Sequence, residues 1–558
     1  MSVPAIASIS LRIWHSSQDR WRCGGRTDTA NSVGRQCSER SAPRDPGSPM
    51  TDPRLTVSLA DLLASRVASS PDEVVIRSDQ GCLTYREIEE KSRLIAEGLS
   101  SVGVQRGESV ATMVQRTDQA LAVWFACARS GFVEVPLNVE LKDELLVDAV
   151  VGADCSVIVV GDDPVASQQL EALEERLPSI SKIEDLEEPA VVHGGDSRPL
   201  GSDEVSLILY TSGTTGRSKG VRLSDRMTMR LASSVVDHAG LTRDDVLFTV
   251  FPLHHIAARF VSVVAAMLIE GEVVIQEKFS ASRFWDVCTD HGVTAIHYLG
   301  TLPMMLWKQE PVPGQEQNSV RVAYGAGMPE EIQEDFGQRF GLEIFELYGS
   351  TEQGVVAMSR RDSSKPGTCG LPVDDVELQI HDPEGKQCPA NVVGEIVVRN
   401  REPGIFFDGY HGMPDATIEA WRDLWFRTGD AGLVDEDGYL TFTGRLTDSV
   451  RRRGENVSAW EVERVLIEHK DVDEAAVFGV PSDLGEEEVM AVVVGDKVDL
   501  QELWQYATEK LPGFAVPRYI RIQDELPKTP TGRVQKHQLN GVDGETSEWE
   551  RGLIRQQS

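Results

Sequence analysis

Several features that define other classes of protein are missing from this chain of 558 residues. No uninterrupted apolar run reaches the ~18 residues of a membrane-spanning helix, and the nearest, over 260–269, contains Ser262. The eight cysteines include no C-x-x-C pair, so reduced, packing cysteines in a cytoplasmic protein are expected instead of a disulfide framework. No repeat of about 20–50 residues recurs. The sequence therefore excludes an integral membrane segment and a solenoid.

Positive charge is scarce as well. The 89 acidic residues outnumber the 55 basic ones, and only 13 of the basic residues are Lys, which leaves a net charge of −34. Such an acidic chain is poorly suited to non-specific binding of nucleic acids or of anionic membranes. Binding of ATP remains open, because a basic loop can reverse the electrostatic field locally. The length exceeds what one hydrophobic core supports, so two or more domains are expected.

The first 50 residues differ in composition from the rest. They hold seven Arg and no Lys, with four acidic residues and no amphipathic period. A signal peptide requires an apolar core, which this segment lacks, and four acids are atypical of a transit peptide. Residues 1–50 are therefore predicted to be a disordered leader, or the product of a start site placed too early.

From residue 55 the pattern becomes that of a globular protein. A helix is predicted over 58–67, a strand over 73–78, and a helix through Leu99 that begins with a Thr84/Glu87 capping box. Strands and helices then alternate to about residue 390, which indicates layered α/β structure with parallel strands. The last part reads as compact α+β structure, with strands over 472–480, 489–494 and 519–523 and a helix over 500–510.

One stretch organises the whole chain. The four residues Leu207–Tyr210 read as a buried strand and run into a turn of Thr, Ser and Gly that contains Arg217 and closes on Lys219. Glycines allow successive N–H groups to turn inward around an anion, and a lysine adds a mobile positive charge. A flexible surface loop is the alternative. Because a strand leads directly into this ordered string, we interpret residues 211–219 as a phosphate loop, of a spacing different from G-x-x-x-x-G-K-[ST].

Further short sequence motifs contain residues that could take part in catalysis or binding at other points of the chain. His255 follows an apolar-Pro-apolar segment, where a histidine packed in the core is the alternative. Arg259 is either a contact for a polar substrate or a solvated or ion-paired residue. Glu352 closes the string Tyr348-Gly349-Ser350-Thr351-Glu352, where a carboxylate at the mouth of a strand suits Mg²⁺. The alternative at that string is the capped start of a helix.

In this order the strings resemble the signature of the adenylate-forming superfamily, which comprises acyl-CoA synthetases, peptide-synthetase adenylation domains and luciferases. The resemblance covers about residues 55–540 and is closest to acyl-CoA ligases of the carnitine-CoA ligase-like type. It implies an ATP-dependent carboxylic acid–CoA ligase that forms an acyl-adenylate and releases pyrophosphate and then AMP. The implied cofactors and partners are ATP, Mg²⁺, CoA and a carboxylic acid, with no nucleic acid and no integral membrane segment.

The resemblance also assigns the site residues. Catalytic roles fall to Lys219, His255, Thr351, Glu352, Arg533 and Lys536, with Glu352 as the metal ligand. Binding of ATP and AMP falls to Thr211, Ser212, Gly213, Thr214, Thr215, Gly216, Lys219, Gly325, Ala326, Gly327, Tyr348, Gly349, Thr351, Asp430 and Arg445. The CoA tunnel falls to Arg453, Gly454, Glu455 and Asn456. The acyl pocket falls to His255, Arg259, Tyr324 and Gly325.

The implied fold is α/β, with a large N-terminal domain of layered α/β sheets (51–444) and a small mobile α+β C-terminal domain (449–545). A hinge over 445–448 joins the two domains, and residues 546–558 form a tail. In the family, the small domain swivels between the two half-reactions. Thr447 stands where the family usually places an Asp or Lys hinge residue.

A second departure concerns the lysine that the family uses for adenylation. Arg533 stands at its position, and a planar guanidinium does not mimic a compact ammonium, so Lys536 or Lys528 is an alternative. Two rival functions stay open. One is an enzyme that loads a separate carrier protein instead of CoA, and the other, motivated by Arg533 and Thr447, is a non-catalytic relative that binds nucleotide.

Overall fold

The structure is a computed structural model. It describes residues 52–141, 143–187, 198–211, 219–300, 302–312, 315–446, 449–452, 455–481, 487–511, 513, 515–528 and 534–539. The predictions made for the leader, for most of the phosphate loop (212–218), for Thr447 and for Arg453, Gly454 and Arg533 lie outside the described residues. So do those made for the side chains of Glu455 and Asn456.

A nine-stranded sheet, as far as the described residues show, forms the centre of the large domain. Its order is β15-β14-β13-β12-β11-β9-β10-β1-β2, and the six strands from β13 to β1 in that order run parallel. The strands are β1 (Val74–Ser78), β2 (Gly81–Thr84), β9 (Val246–Thr249), β10 (Glu272–Ile275), β11 (Ala295–Leu299), β12 (Val322–Ala326), β13 (Glu343–Ser350), β14 (Gly354–Met358) and β15 (Leu371–Pro372).

A second sheet carries the two ends of the predicted phosphate loop, Thr211 and Lys219. Its described strands have the order β6-β5-β3-β4-β7-β8, parallel throughout except that β7 and β8 form an antiparallel hairpin. The strands are β3 (Ser109–Met113), β4 (Val133–Pro136), β5 (Cys155–Val160), β6 (Ser179–Lys182), β7 (Val205–Thr211) and β8 (Lys219–Ser224). The predicted parallel α/β layers are thus confirmed.

A third, antiparallel sheet completes the large domain. Within the described range it comprises β16 (Val376–His381), β17 (Gly394–Asn400), β18 (Trp421–Arg422), β19 (Trp425–Val434) and β20 (Leu440–Arg445). One cluster of buried apolar side chains contains members from all three sheets, so they share a core. The helices are α1 (Leu59–Ser69), α2 (Tyr85–Ser101), α3 (Thr117–Ser130), α4 (Asp143–Gly152), α5 (Pro164–Ala172), α6 (Ile183–Glu187), α7 (Asp225–Ala239), α8 (Ile256–Ala258), α9 (Ala265–Ile269), α10 (Phe284–His291), α11 (Leu302–Trp307), α12 (Glu330–Phe340) and α13 (Pro414–Ala420).

Local signals in the sequence place several of these elements. The predicted capping box at α2 is present, because Thr84 Oγ1 accepts from the N–H of Glu87 at 3.2 Å while Glu87 Oε2 accepts from the N–H of Thr84 at 2.8 Å. Between α8 and α9 the chain forms a π-helical turn over Arg259–Val264, a feature that is often found near functional sites.

The small domain has its own apolar core. It contains the hairpin β21 (Ser449–Arg452) and β22 (Glu455–Ser458), and a sheet of β23 (Glu474–Pro481), β24 (Glu487–Val494) and β25 (Tyr519–Ile522). The helices are α14 (Ala459–Glu468), α15 (Leu500–Lys510) and α16 (Lys536–Leu539). These elements confirm the predicted α+β character.

The structure bears on two expectations, the absence of a membrane-spanning helix and the reduced state of the cysteines. In the part of the chain that the structure describes, no helix has the length and apolar character needed to cross a membrane. Free cysteines are found at Cys127, Cys155, Cys288, Cys369 and Cys388. Cys82 is disulfide-bonded, so the expectation that every cysteine is reduced was wrong at this position.

Candidate active site

The hairpin of β7 and β8 places the two ends of the predicted phosphate loop side by side. Thr211, the last residue of β7, pairs with Lys219, the first residue of β8, in an antiparallel register. The Thr211 hydroxyl donates to the Lys219 carbonyl at 3.4 Å. The loop between them therefore leaves and re-enters the sheet at one point, and Lys219 lies at its exit.

The segment 407–411 lies along the outer edge of β8. The N–H of His411 donates to the Gly220 carbonyl at 2.8 Å, and the N–H of Arg222 donates to the Gly409 carbonyl at 3.1 Å. These backbone bonds place the side chain of Tyr410 beside Lys219, whose Nζ is 4.7 Å from the centre of the Tyr410 ring. The ammonium thus forms a cation–π contact with Tyr410.

Glu352 lies on the other side of Tyr410. The Tyr410 hydroxyl donates to Glu352 Oε1 at 3.1 Å, and the Ser350 hydroxyl donates to Glu352 Oε2 at 2.7 Å. Burial and the neighbouring Glu352 carboxylate raise the pKa of the Tyr410 hydroxyl, so it keeps its proton at neutral pH. Tyr410 thus contacts both Lys219 and Glu352, and we refer to Lys219, Tyr410 and Glu352 as the Lys219–Tyr410–Glu352 network.

The Glu352 carboxylate is suited to binding a hard cation. A carboxylate offers about four acceptor positions, and the hydroxyls of Ser350 and Tyr410 use two of them. Glu352 is partly exposed, so its remaining lone pairs are accessible. Oxygen ligands of this kind match the preference of Mg²⁺, and the residues present therefore fit the predicted metal.

The turn that carries Glu352 is not the start of a helix. β13 ends at Ser350, and the chain returns directly as β14 from Gly354, so the helix alternative was wrong. Gly349 lies where a Cβ atom would come within 2.1 Å of the Gly354 carbonyl oxygen, which only glycine permits. Thr351 lies in the turn, next to Glu352, and is partly buried.

Sequence reasoning missed Tyr410. The only signal is an aromatic residue within a glycine-rich segment, Gly404–Gly412, and this pattern predicts a loop without a chemical role. Its two partners are distant along the chain. Only the pairing of the segment 407–411 with β8 brings it between them.

This position leads to a prediction for Tyr410→Phe. The variant keeps the ring under the Lys219 ammonium and removes the hydroxyl that donates to Glu352. A hydrogen bond to a charged group contributes about 1.5–3 kcal/mol, so we expect the Mg²⁺ concentration for half-maximal activity to rise about tenfold or more. A titration of activity with Mg²⁺ measures this, with Tyr410→Leu as the matched variant that also removes the ring. Equal Mg²⁺ dependence in wild type and Tyr410→Phe would contradict the assignment.

A second polar group lies where the large domain ends. The Tyr348 hydroxyl donates to Asp430 Oδ2 at 2.8 Å, and Arg445 Nε lies 3.1 Å from Asp430 Oδ1. The Tyr348 ring stacks on Phe442, with centroids 6.0 Å apart. Burial and the nearby Asp430 carboxylate raise the pKa of Tyr348. The structure thus brings together three residues assigned to AMP from separate motifs.

His255 caps the start of helix α8. Its Nδ1 accepts from the N–H of Ala257 at 3.2 Å at the start of α8, and this places its proton on Nε2. Burial lowers the pKa of His255 to about 4, so the ring is neutral near pH 7. A neutral Nε2–H can donate to an uncharged or anionic group.

Two further histidines stand near His255 and were not predicted. His297 lies on β11 and stacks on Tyr324, with centroids 5.3 Å apart. Burial lowers the pKa values of His254 and His297 to about 3 each, and His255 contributes to both shifts. Because all three rings are neutral, this part of the predicted acyl pocket is polar but uncharged.

Arg259 is ion-paired, as one of the two alternatives held. Its guanidinium forms a bidentate pair with Glu134 of β4, at 2.5 Å and 2.9 Å, and also donates to the Leu253 carbonyl. It lies 4.5 Å from the Trp124 ring centre, and the Arg259 and Glu134 side chains are 2% and 1% exposed. This is a correction to the assignment of Arg259 to the acyl pocket, because its donors are engaged in joining the π-helical turn to β4 and to the Leu253 carbonyl.

The segment assigned to adenine and the acyl group ends β12. Tyr324 is buried and donates from its hydroxyl to the Val261 carbonyl at 3.2 Å. A Cβ atom on Gly325 would lie 1.8 Å from the Tyr298 carbonyl oxygen, and Gly327 has a φ of +100°, so both positions require glycine. Ala326 lies between them as the last residue of β12.

The two candidate lysines of the small domain are engaged within that domain. Lys536 Nζ lies 2.7 Å from Glu463 of α14, and Lys528 forms an ion pair with Glu474 of β23. The small domain itself contacts the large one through Arg464 and Glu331, at 2.6 Å. In this arrangement neither lysine contacts Lys219, Tyr410 or Glu352.

Comparisons with known proteins identify the family. The model of the AMP-binding enzyme family matches residues 63–411, and that of the AMP-binding enzyme C-terminal domain matches residues 461–533. A feruloyl-CoA synthase from Amycolatopsis is 31% identical over 483 residues, which are 85% of this chain and 96% of that enzyme. A crotonobetaine/carnitine–CoA ligase from Proteus mirabilis is 28% identical, over 84% of this chain and 95% of that enzyme.

Solved structures have the same fold. ATP-bound MatB from Rhodopseudomonas palustris matches with a TM-score of 0.76 at 28% identity, over 86% of this chain and 98% of that one. The o-succinylbenzoate CoA synthetase of Bacillus subtilis, solved with its acyl-adenylate, matches with a TM-score of 0.77 at 24% identity, over 86% and 98%. The chain therefore belongs to the AMP-binding enzyme family, and its activity is that of an ATP-dependent acid–CoA ligase that acts through an acyl-adenylate.

Proposed function

We propose that the Lys219–Tyr410–Glu352 network is the point at which this ligase binds the phosphates and the metal of MgATP. One observation carries the proposal. A cation at the exit of the phosphate loop and a carboxylate suited to Mg²⁺ contact the same side chain, Tyr410, although they come from different sheets. A polyphosphate with its metal ion requires both charges at one place.

The remaining residues take roles around this point. Asp430 would accept from the ribose hydroxyls, with Arg445 beside it. The turn Gly325–Gly327 would lie against adenine and the acyl group, where the absence of side chains allows close approach. His255 would donate from Nε2 towards the acyl carboxylate, and Thr351 would donate to the α-phosphate.

In the first half-reaction an oxygen of the acid attacks the α-phosphorus of ATP. The bond from this phosphorus to the bridging oxygen of the β-phosphate breaks, and pyrophosphate leaves. Glu352 would hold Mg²⁺, which would supply positive charge against the charge that develops on the phosphates. The work of the protein is therefore to position the acid and to stabilise charge with Lys219.

In the second half-reaction the CoA sulfur attacks the acyl carbon. The bond to the AMP oxygen breaks, AMP leaves, and the thiol proton passes to solvent. We propose Arg453, Gly454, Glu455 and Asn456 for the CoA tunnel on the strength of the resemblance alone. A separate carrier protein is the alternative acceptor, and an end-point assay with CoA or with a phosphopantetheinyl carrier distinguishes the two.

A pyrophosphate-release screen tests the proposal. Purified enzyme, MgATP and a carboxylic acid library are mixed with and without CoA. The library includes ferulate and carnitine, because relatives are named for these acids. We expect release with at least one acid and its loss in Lys219→Met, whereas Arg217→Met, in the same loop, serves as a control for general loss of positive charge. Absence of release with every acid would contradict the proposal.

The adenylation cation is tested by timing the half-reactions separately. We expect one of Arg533→Met, Lys536→Met and Lys528→Met to slow acyl-adenylate formation by about 10²-fold, because one charge-stabilising donor is lost. Thioester formation from a supplied acyl-adenylate should remain within about twofold of wild type in that variant. If all three variants form the adenylate at the wild-type rate, none of these residues is the adenylation cation.

A further inference from the structure

Glu346 is a buried acidic residue that the proposed mechanism does not use. It lies on β13, six residues before Glu352, and its pairing partner on β12 is Gly325. On the other side of Gly325, β11 places Tyr298 in the same row. Three neighbouring parallel strands thus hold Tyr298, Gly325 and Glu346 side by side.

Glycine in the middle of the row allows the two outer side chains to meet. Residues in register on neighbouring strands point to the same face of a sheet. Because Gly325 has no side chain, the Tyr298 hydroxyl reaches across it and donates to Glu346 Oε1 at 2.6 Å. A Cβ atom on Gly325 would also lie 3.0 Å from the Tyr298 ring, so a larger residue would disturb this contact.

The same carboxylate accepts from the turn that follows β12. The N–H of Met328 donates to Glu346 Oε1 at 2.8 Å, and the N–H of Gly327 donates to Oε2 at 3.2 Å. The Gly300 N–H donates to the Ala326 carbonyl at 2.9 Å, which ties the turn to the end of β11. Glu346 therefore fixes the path of the backbone that the proposed function places against adenine and the acyl group.

We propose that Glu346 is a positioning residue for nucleotide binding, whose carboxylate holds the Gly327–Met328 turn in the shape that accepts adenine. The proposal depends on the proposed function for the placement of adenine. It concerns a residue that touches neither the phosphates nor the metal. Its effect should therefore be on the affinity for ATP, with little effect on the rate of the chemical step.

Ionisation of Glu346 makes the proposal testable by pH. Burial raises the pKa of the Glu346 carboxyl to about 7, against the effect of its three hydrogen bonds. Among the described residues, the titratable groups that face it are the Tyr298 hydroxyl and the Cys369 thiol. Below about pH 7 the carboxyl holds a proton and loses acceptor capacity, so the turn loses part of its support. Above this pH the carboxylate accepts from all three donors.

The experiment measures the KM for ATP by ATP–pyrophosphate exchange from about pH 5.5 to 8.5 in wild type, Glu346→Gln and Tyr298→Phe. In wild type we expect the KM for ATP to fall as the pH rises through about 7. In Glu346→Gln the side chain keeps the shape of glutamate but does not ionise, and its amide NH₂ faces a backbone N–H donor that it cannot accept from. We expect its KM for ATP to be about tenfold higher than wild type at pH 8 and independent of this transition, with kcat within about twofold.

Tyr298→Phe supplies a second readout. Removal of its hydroxyl takes away a donor that favours the ionised carboxyl, so the transition in KM should move to higher pH. A merely structural role would not produce this shift, and the measurement stands even if Glu346→Gln fails to fold. The proposal is overturned if Glu346→Gln or Tyr298→Phe keeps the wild-type profile of KM against pH. An inactive wild type would instead reject the proposed function.

Discussion

Glu352→Gln is expected to slow acyl-adenylate formation by about 10²–10³-fold, because the amide removes the negative charge that holds the metal beside the phosphates. The amide oxygen can still accept from one of the two hydroxyls, and the amide NH₂ can donate to the oxygen of the other, so the turn between β13 and β14 should keep its shape. Loss of activity would therefore report the missing charge. Single-turnover kinetics with ATP and the acid that the screen identifies measures the effect.

Two controls separate this effect from general damage. Ser350→Ala removes one donor to the same carboxylate and keeps the charge, so its loss of rate should be at most about tenfold. Thioester formation from a supplied acyl-adenylate needs no ATP, and it should be preserved in Glu352→Gln. A variant with the wild-type adenylation rate and Mg²⁺ dependence would show that the metal is bound elsewhere.

The second large effect is on stability. Glu134→Leu would leave the Arg259 guanidinium buried without its carboxylate, and loss of one partner of a buried ion pair costs about 3–5 kcal/mol. The hydroxyl of Thr112, which donates to Glu134 Oε1 at 2.9 Å, would also lose its acceptor. We therefore expect a clear fall in the denaturant midpoint for unfolding of the large domain. Urea denaturation followed by circular dichroism measures this.

The matched control is the double variant Glu134→Leu with Arg259→Met. It removes both charges, so no ion is left unpaired, and it should recover much of the stability that the single variant loses. Because Arg259 is engaged with Glu134 and Leu253, the double variant should also retain the acid preference of the wild type. If the double variant folds but prefers different acids, Arg259 belongs to the substrate pocket after all.

The elements of this fold could largely be predicted, because the signals that define them are local. The box of Thr84 and Glu87 marks the start of α2 through groups three residues apart, and β5 follows from a short apolar run. The motifs at Lys219 and Glu352 could be recognised in the sequence for the same reason. In the motif at Glu352, Gly349 serves the backbone of its own turn.

The contacts between motifs had no such signal. Tyr410 donates to a residue 58 positions away, and Arg259 pairs with one 125 positions away. Contacts between residues so far apart produce no periodic pattern or fixed spacing in the sequence, because each contact depends on how the strands are ordered in different sheets. Glu346 is a similar case, because its role depends on a register across β11, β12 and β13.

The sequence by itself determined which chemical groups exist and the order in which they occur: a lysine after a turn rich in Gly, Ser and Thr, a carboxylate after a strand, and a second domain that follows the first. These follow from residue type and local backbone preference. Only the tertiary structure decided that Tyr410 joins Lys219 to Glu352, and that Arg259 supports the framework. The physical reason is that a charge or hydroxyl acts over a few ångströms, and folding alone brings distant parts of the chain that close.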